Sequence, residues 1–91
     1  MDVRWSPEAA DDLEEIVRHI QRENSEAARD VAETIYEAIG SLNTLPNHGR
    51  IGRIQGTREL VLVPQPWIAV YGVRHEVAEI VPIYHGAQNW P

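Results

Sequence analysis

His48, Arg50 and Arg53 stand in a stretch, Pro46-Asn47-His48-Gly49-Arg50-Ile51-Gly52-Arg53-Ile54-Gln55-Gly56-Thr57, that contains no acid, and Arg58 follows it directly. Tyr84 and His85 come near the other end of the chain. Guanidinium groups on glycine-bearing backbone suit phosphate, because arginine offers paired donors and glycine lets the chain approach closely. Histidine is the natural proton donor or acceptor near neutral pH. Metal-free cleavage of RNA needs a base for the 2′-hydroxyl, an acid for the leaving oxygen and cations for the charge that builds on phosphorus. On paper His48, Arg58 and His85 fill those roles, with Arg50, Arg53 and Tyr84 as further phosphate- or target-binding candidates. The same residue types also occur in inert loops, where Arg58 would pair with Glu59 or Glu79. Tyr84 and His85 are adjacent on a predicted strand, so their side chains leave opposite faces and only one can enter a shared cleft. No grouping of His, Asp and Glu has metal-ligand spacing, so neither a metal nor a cofactor is expected.

Composition narrows the class. The 91 residues, 43% hydrophobic, suffice for a single domain over 1–91 with one core. No apolar run approaches the ~18–20 residues of a membrane span. The first residues carry no apolar signal region and cysteine is absent, so a cytoplasmic chain without disulfides or thiol chemistry is expected. Fourteen acids oppose eight bases, all of them arginine, for a net charge of −6. Residues 1–45 hold 11 acids and 4 arginines, whereas residues 46–91 hold 3 acids and 4 arginines. An acidic half thus precedes a mildly basic one, a distribution unlike that of a general nucleic-acid binder.

The elements that must position these residues follow from pattern. Residues 2–5 read as a short strand. Ser6-Pro7 supplies a cap and a proline at the first helical position. Ala9, Leu13, Ile16, Val17 and Ile20 form the stripe of an amphipathic helix ending near Glu23-Asn24, and the acids at 8, 11, 12, 14 and 15 read as its solvated face. Ser25 caps a second helix, whose stripe of Ala28, Val31, Ile35, Ala38, Ile39, Leu42 and Leu45 runs through Gly40 to Pro46. Strands are predicted over 58–63, 67–73 and 77–85, with Pro82 demanding a bulge or an edge. The fold class is α+β, in the order β-α-α-β-β-β, with an antiparallel αα-hairpin packed on a small, mainly antiparallel sheet.

Leu60-Val61-Leu62-Val63 and Trp67-Ile68-Ala69-Val70-Tyr71 read as apolar on both faces of that sheet. Two helices cover one face, so a partner polypeptide is expected over the other. Leu60, Leu62, Trp67, Val70 and the near-terminal Trp90 are the candidates for contacting it.

In this order of elements, Trp5-Ser6-Pro7-Glu8-Ala9, Leu45-Pro46-Asn47-His48-Gly49-Arg50, Gly56-Thr57-Arg58-Glu59-Leu60 and His85-Gly86-Ala87-Gln88-Asn89-Trp90-Pro91 together resemble the RelE/ParE family of bacterial toxins from type II toxin–antitoxin pairs. The resemblance spans essentially the whole chain. It implies a toxin that arrests growth, serves plasmid stabilization, and is neutralised in a hetero-oligomer by a ParD- or RelB-like antitoxin, through which alone it would meet operator DNA. It also implies two alternative activities. ParE-like members poison DNA gyrase and block replication. RelE-like members cut mRNA in the ribosome without metal, in which case Arg58 and His85 would be catalytic. The acidic, lysine-free composition and the wording of the motifs are closer to the ParE branch. The antitoxin segment is expected to be amphipathic, with acids set against the arginines at 50, 53 and 58.

Overall fold

A computed structural model describes residues 2–63 and 65–88. The chain runs β1 (Asp2–Trp5), α1 (Pro7–Gln21), α2 (Ser25–Gly40), a 3-10 turn (Ser41–Asn43), β2 (Arg50–Ile51), β3 (Arg58–Val61), β4 (Trp67–Arg74) and β5 (Val77–His85). The five strands form one mixed sheet in the order β1-β5-β4-β3-β2, with β1 parallel to β5 and every other pair antiparallel. The α+β class and the αα-hairpin on the sheet are as expected, and the parallel edge strand is the mixed element. Among the described residues no helix is long and apolar enough to cross a membrane.

Local chemistry sets the helix ends. The Ser6 hydroxyl accepts from the Ala9 amide at 3.0 Å and donates to the Val81 carbonyl at 2.8 Å, so one side chain caps α1 and ties it to β5. Asn24, rather than Ser25, caps α2, its side-chain Oδ1 accepting from the Ala27 amide at 3.1 Å. The second helix stops at Gly40 instead of running to Pro46. The Ser41 hydroxyl takes the Ala38 carbonyl at 2.5 Å and the chain tightens into the 3-10 turn, which leaves Leu45 exposed rather than on the stripe.

Ala9, Val31, Ile35, Ile39 and Leu42 from the helical layer pack onto Leu60, Leu62, Ala69, Tyr71, Ala78, Ile80 and Ile83 of the sheet. The expectation for the opposite face needs correction. Strand alternation sends Leu60 and Leu62 into the helix-side core, while Val61 and Val63 face outward and are exposed. On that outer face Ile68, Val70 and Tyr84 are themselves buried at 7%, 1% and 4% exposure, in a second small cluster. Val70 pairs with buried Glu59, and the glycine-rich loop folds over that row. The sheet face away from the helices is therefore not a bare apolar layer. Pro82 sits in a bulge, where Val81 and Pro82 together oppose Val70, so its missing N–H breaks no rung.

The β4–β5 hairpin turns through His75 and Glu76, with φ of 50° and 61°. Both central residues of such a two-residue turn must occupy the left-handed region, which costs a residue with a Cβ about 1 kcal/mol and glycine almost nothing. Glu76→Gly is expected to raise the unfolding free energy by about 0.5–1 kcal/mol in denaturant titrations. Gly56→Ala, at φ 83° with open space around it, should lower it by a similar amount.

Candidate functional site

Four hydrogen bonds from the sheet fasten the segment Pro46–Gly49. Tyr71 of β4 is fully buried, and its hydroxyl donates to the Pro46 carbonyl at 2.8 Å while accepting from the Gly49 amide at 2.9 Å. A Cβ on Gly49 would stand 2.7 Å from the Tyr71 ring and 3.0 Å from the Glu59 carbonyl, so this approach requires glycine. Arg58 lies opposite Tyr71 in the β3–β4 register, and its Nη1 donates to the Gly49 carbonyl at 2.8 Å and the Asn47 carbonyl at 3.4 Å. His48 is left exposed on the outside of this clamped segment. With Thr44, Leu45, Pro46 and Asn47 it lines a shallow cavity of about 360 Å³.

The next residues are held through Glu59, whose side chain is only 2% exposed. Its Oε1 accepts from Arg50 Nε at 3.0 Å and Nη2 at 2.9 Å, and its Oε2 accepts from the Arg53 backbone amide at 3.1 Å. Burial alone would raise the Glu59 carboxyl pKa. The Arg53 amide, the Arg50 guanidinium bonds and the positive charges of Arg50 and Arg53 together outweigh burial and hold it below the ordinary value. The ion pair uses Arg50 rather than Arg58, because Arg50 faces Glu59 directly in the β2–β3 register.

The structure thus gathers His48, Arg50, Arg53 and Arg58 around one loop. It does not bring His85 to them. Arg58 aligns with Tyr71 and His85 with Trp67, four residues apart along β4 and with β4 between the two strands they occupy. At ~3.3 Å per residue and ~4.8 Å per strand, their Cα atoms are roughly 16 Å apart. The packed row Leu60–Ala69–Ile83 lies between them. His85 instead meets the edge of Trp67, with ring centroids 6.1 Å apart, and its Nδ1 accepts from the Ala87 amide at 3.0 Å. Tyr84 points to the opposite face, with Ile68. Leu60, Leu62 and Val70 are each buried within the chain and Trp67 is half-buried, while Trp90 lies outside the described residues.

Pattern reading missed a groove of about 890 Å³ beside α1. At the end of β4 and β5, half-buried Trp67 and buried Ile83 meet Ile16 and Ile20 in an apolar floor bordered by α1 acids. Here β5 has outrun β1, and side chains cap its edge: the Asp12 carboxylate accepts from the Ile83 amide at 2.9 Å, and Gln88 Oε1 from the His85 amide at 2.6 Å. A signal was present in the sequence. One flank of the α1 stripe is small and apolar, with Ala10 and Val17, whereas the other is lined by Asp12, Glu15 and Glu23.

A family model described as the ParE toxin of the type II toxin-antitoxin system, parDE, matches residues 3–90. A curated relative from Sinorhizobium fredii (strain NBRC 101917 / NGR234), named "Putative toxin Y4kP", is 39% identical over 89 residues, covering 98% of this chain and 92% of its own length. Among solved structures, a chain of the chromosomal ParDE TA system from P. aeruginosa superposes with a TM-score of 0.87 at 28% identity, over 93% of this chain and 95% of that one. A chain of the YoeB-YefM complex from Staphylococcus aureus shares the fold at a TM-score of 0.58 and 19% identity, over 93% of this chain and 97% of that one.

The Glu59–Arg50 pair gives the clamped loop a pH signature. Because the folded carboxyl titrates below its ordinary value of 4.5, its stabilisation is fully present above that pH and is lost as pH falls through the folded value. Glu59→Gln should cost about 1–3 kcal/mol at neutral pH, Arg50 being half-exposed and so able to regain water. The gap between variant and wild type should close below pH 4.5. Denaturant midpoints measured across this range test it, and a gap independent of pH would contradict an ionised Glu59.

Proposed function

The chain belongs to the ParE toxin family of type II toxin–antitoxin systems, and from that premise we propose that it arrests growth in the cytoplasm by binding DNA gyrase and blocking replication until a cognate antitoxin neutralises it. Similarity to the ParDE structure favours the ParE-like over the RelE-like reading. The observation that carries a binding rather than a cleaving mechanism is the separation of Arg58 from His85 by packed core. A nuclease of the RelE-like kind would need both at one phosphate. Arg58 is spent on backbone carbonyls and Arg50 on Glu59, so their positive charge stiffens the loop. His48 and Asn47, presented on the clamped segment next to exposed Leu45, are the groups we assign to target contact, with Arg50 and Arg53 at their margin. A rigid loop loses little conformational entropy on docking, which suits a toxin that acts by occupancy alone. The antitoxin forms a hetero-oligomer with the toxin, and operator DNA is contacted through the antitoxin.

Expression without antitoxin should give filamentation and DNA damage while translation continues, and the purified chain should inhibit gyrase supercoiling. His85→Ala should arrest growth as the wild type does. Codon-positioned mRNA cuts by the wild type, lost in His85→Ala, would instead assign ribosome-dependent cleavage.

A further inference from the structure

We propose that β1 is a self-association edge, through which two copies of this chain pair antiparallel about a two-fold axis at Val3 and join their sheets into one. This goes beyond the toxin reading above and does not rest on it.

The sheet order ends on β1, and β1 leaves part of its backbone open. The Asp2 amide donates to the Glu76 carbonyl at 3.1 Å and the Ser6 amide to the Ile80 carbonyl at 2.9 Å, so the backbone groups of Asp2, Arg4 and Ser6 face β5. By alternation the N–H and C=O of Val3 face away from β5, and among the described residues nothing bonds them. The rest of this edge is closed. Where β5 runs on beyond β1, the side chains of Ser6, Asp12 and Gln88 occupy the Val81 carbonyl and the Ile83 and His85 amides. The opposite edge, β2, is only two residues long. Open backbone on an edge strand is a template for another strand.

Charge selects a second copy as the occupant. Val3 and Trp5 pack against the helix-side core, so Asp2 and Arg4 lie on the other face, exposed and outside every ion pair among the described residues. A two-fold axis at Val3 sets Asp2 opposite the partner's Arg4, and Arg4 opposite the partner's Asp2, in non-hydrogen-bonded pairs with Cα atoms ~4.5 Å apart. The two Val3 residues exchange N–H and C=O bonds at the centre. The next register that keeps those groups bonded sets Arg4 against Arg4 or Asp2 against Asp2, so only one register is favoured. On the helix side the two Val3 side chains meet, and Trp5, stacked on 61% exposed Tyr36 with centroids 5.3 Å apart, extends the apolar row from each copy. Each chain carries −6, but at ~0.15 M salt repulsion beyond ~8 Å is screened, whereas the facing pairs act within that distance. One four-residue strand per copy falls short of the ~1,200 Å² of a standard interface, so the dimer is reversible.

The test uses the full chain, untagged and without a partner protein. Sedimentation equilibrium from about 10 µM to about 1 mM should show a reversible monomer–dimer equilibrium, with exchange at the Val3 amide slowing as concentration rises. Val3→Pro, which removes the outward N–H and no bond to β5, should abolish the dimer. Asp2→Arg and Arg4→Asp should each weaken it at least about fivefold, although the first reduces the net negative charge and the second increases it. Asp2→Arg/Arg4→Asp, which exchanges the signs at constant net charge, should restore affinity to within about twofold of the wild type. A chain that stays monomeric throughout, a dimer that survives Val3→Pro, single variants that follow net charge instead, or a double variant no tighter than the singles would overturn the inference. Each of these outcomes leaves the toxin reading intact.

Discussion

A carboxylate shut away from water stays ionised only where donors converge on it, and Glu59 meets that condition through the loop that precedes it. The loop has almost no regular structure of its own beyond the two residues of β2. What fixes it is the demand of one buried charge on β3, reinforced by Tyr71 from β4 and Arg58 from β3. These three side chains stand on neighbouring positions of two paired strands and together hold residues 46–53. Without all three, the segment would keep only its backbone turns and the short β2–β3 ladder.

The same economy appears where helix meets sheet. Ser6 caps α1 and bonds the bulge at Val81; Asp12, one helical stripe away, reaches the amide of Ile83. These contacts anchor the start of α1 on β5, and from there the helix runs across the sheet with α2 on one side and open floor on the other. Among the described residues, half-buried apolar side chains thus line the groove beside α1, while Val61 and Val63 are exposed on the outer face of the sheet. The two outward-looking surfaces differ in character. One is a stiffened loop with a histidine at its tip; the other is a long groove with an acidic border.

Sequence reading succeeded where structure is local. The Ser6-Pro7 cap, the 3.6-residue stripes and the span of β5 each follow from neighbours a few positions apart, and the motifs pointed to the toxin family that the comparisons show. It failed at Gly40 and Leu45, where a hydroxyl competing for one carbonyl ended a stripe that still looked helical. It also failed on the strands, because a run of apolar residues is silent about which are buried by helices and which by the chain's own loop. Leu60 and Val61 differ only in direction, yet one is core and the other surface.

By itself the sequence determined the class of elements, their order and the family, since capping, periodicity and short motifs act within a few residues along the chain. Only the tertiary structure decided which arginine answers Glu59, that Arg58 and His85 lie on either side of packed core, and where uncovered apolar surface remains. Those outcomes depend on register between strands and on how far a helix reaches across a sheet. Both are set by distances between residues far apart in the chain, and no local pattern encodes them.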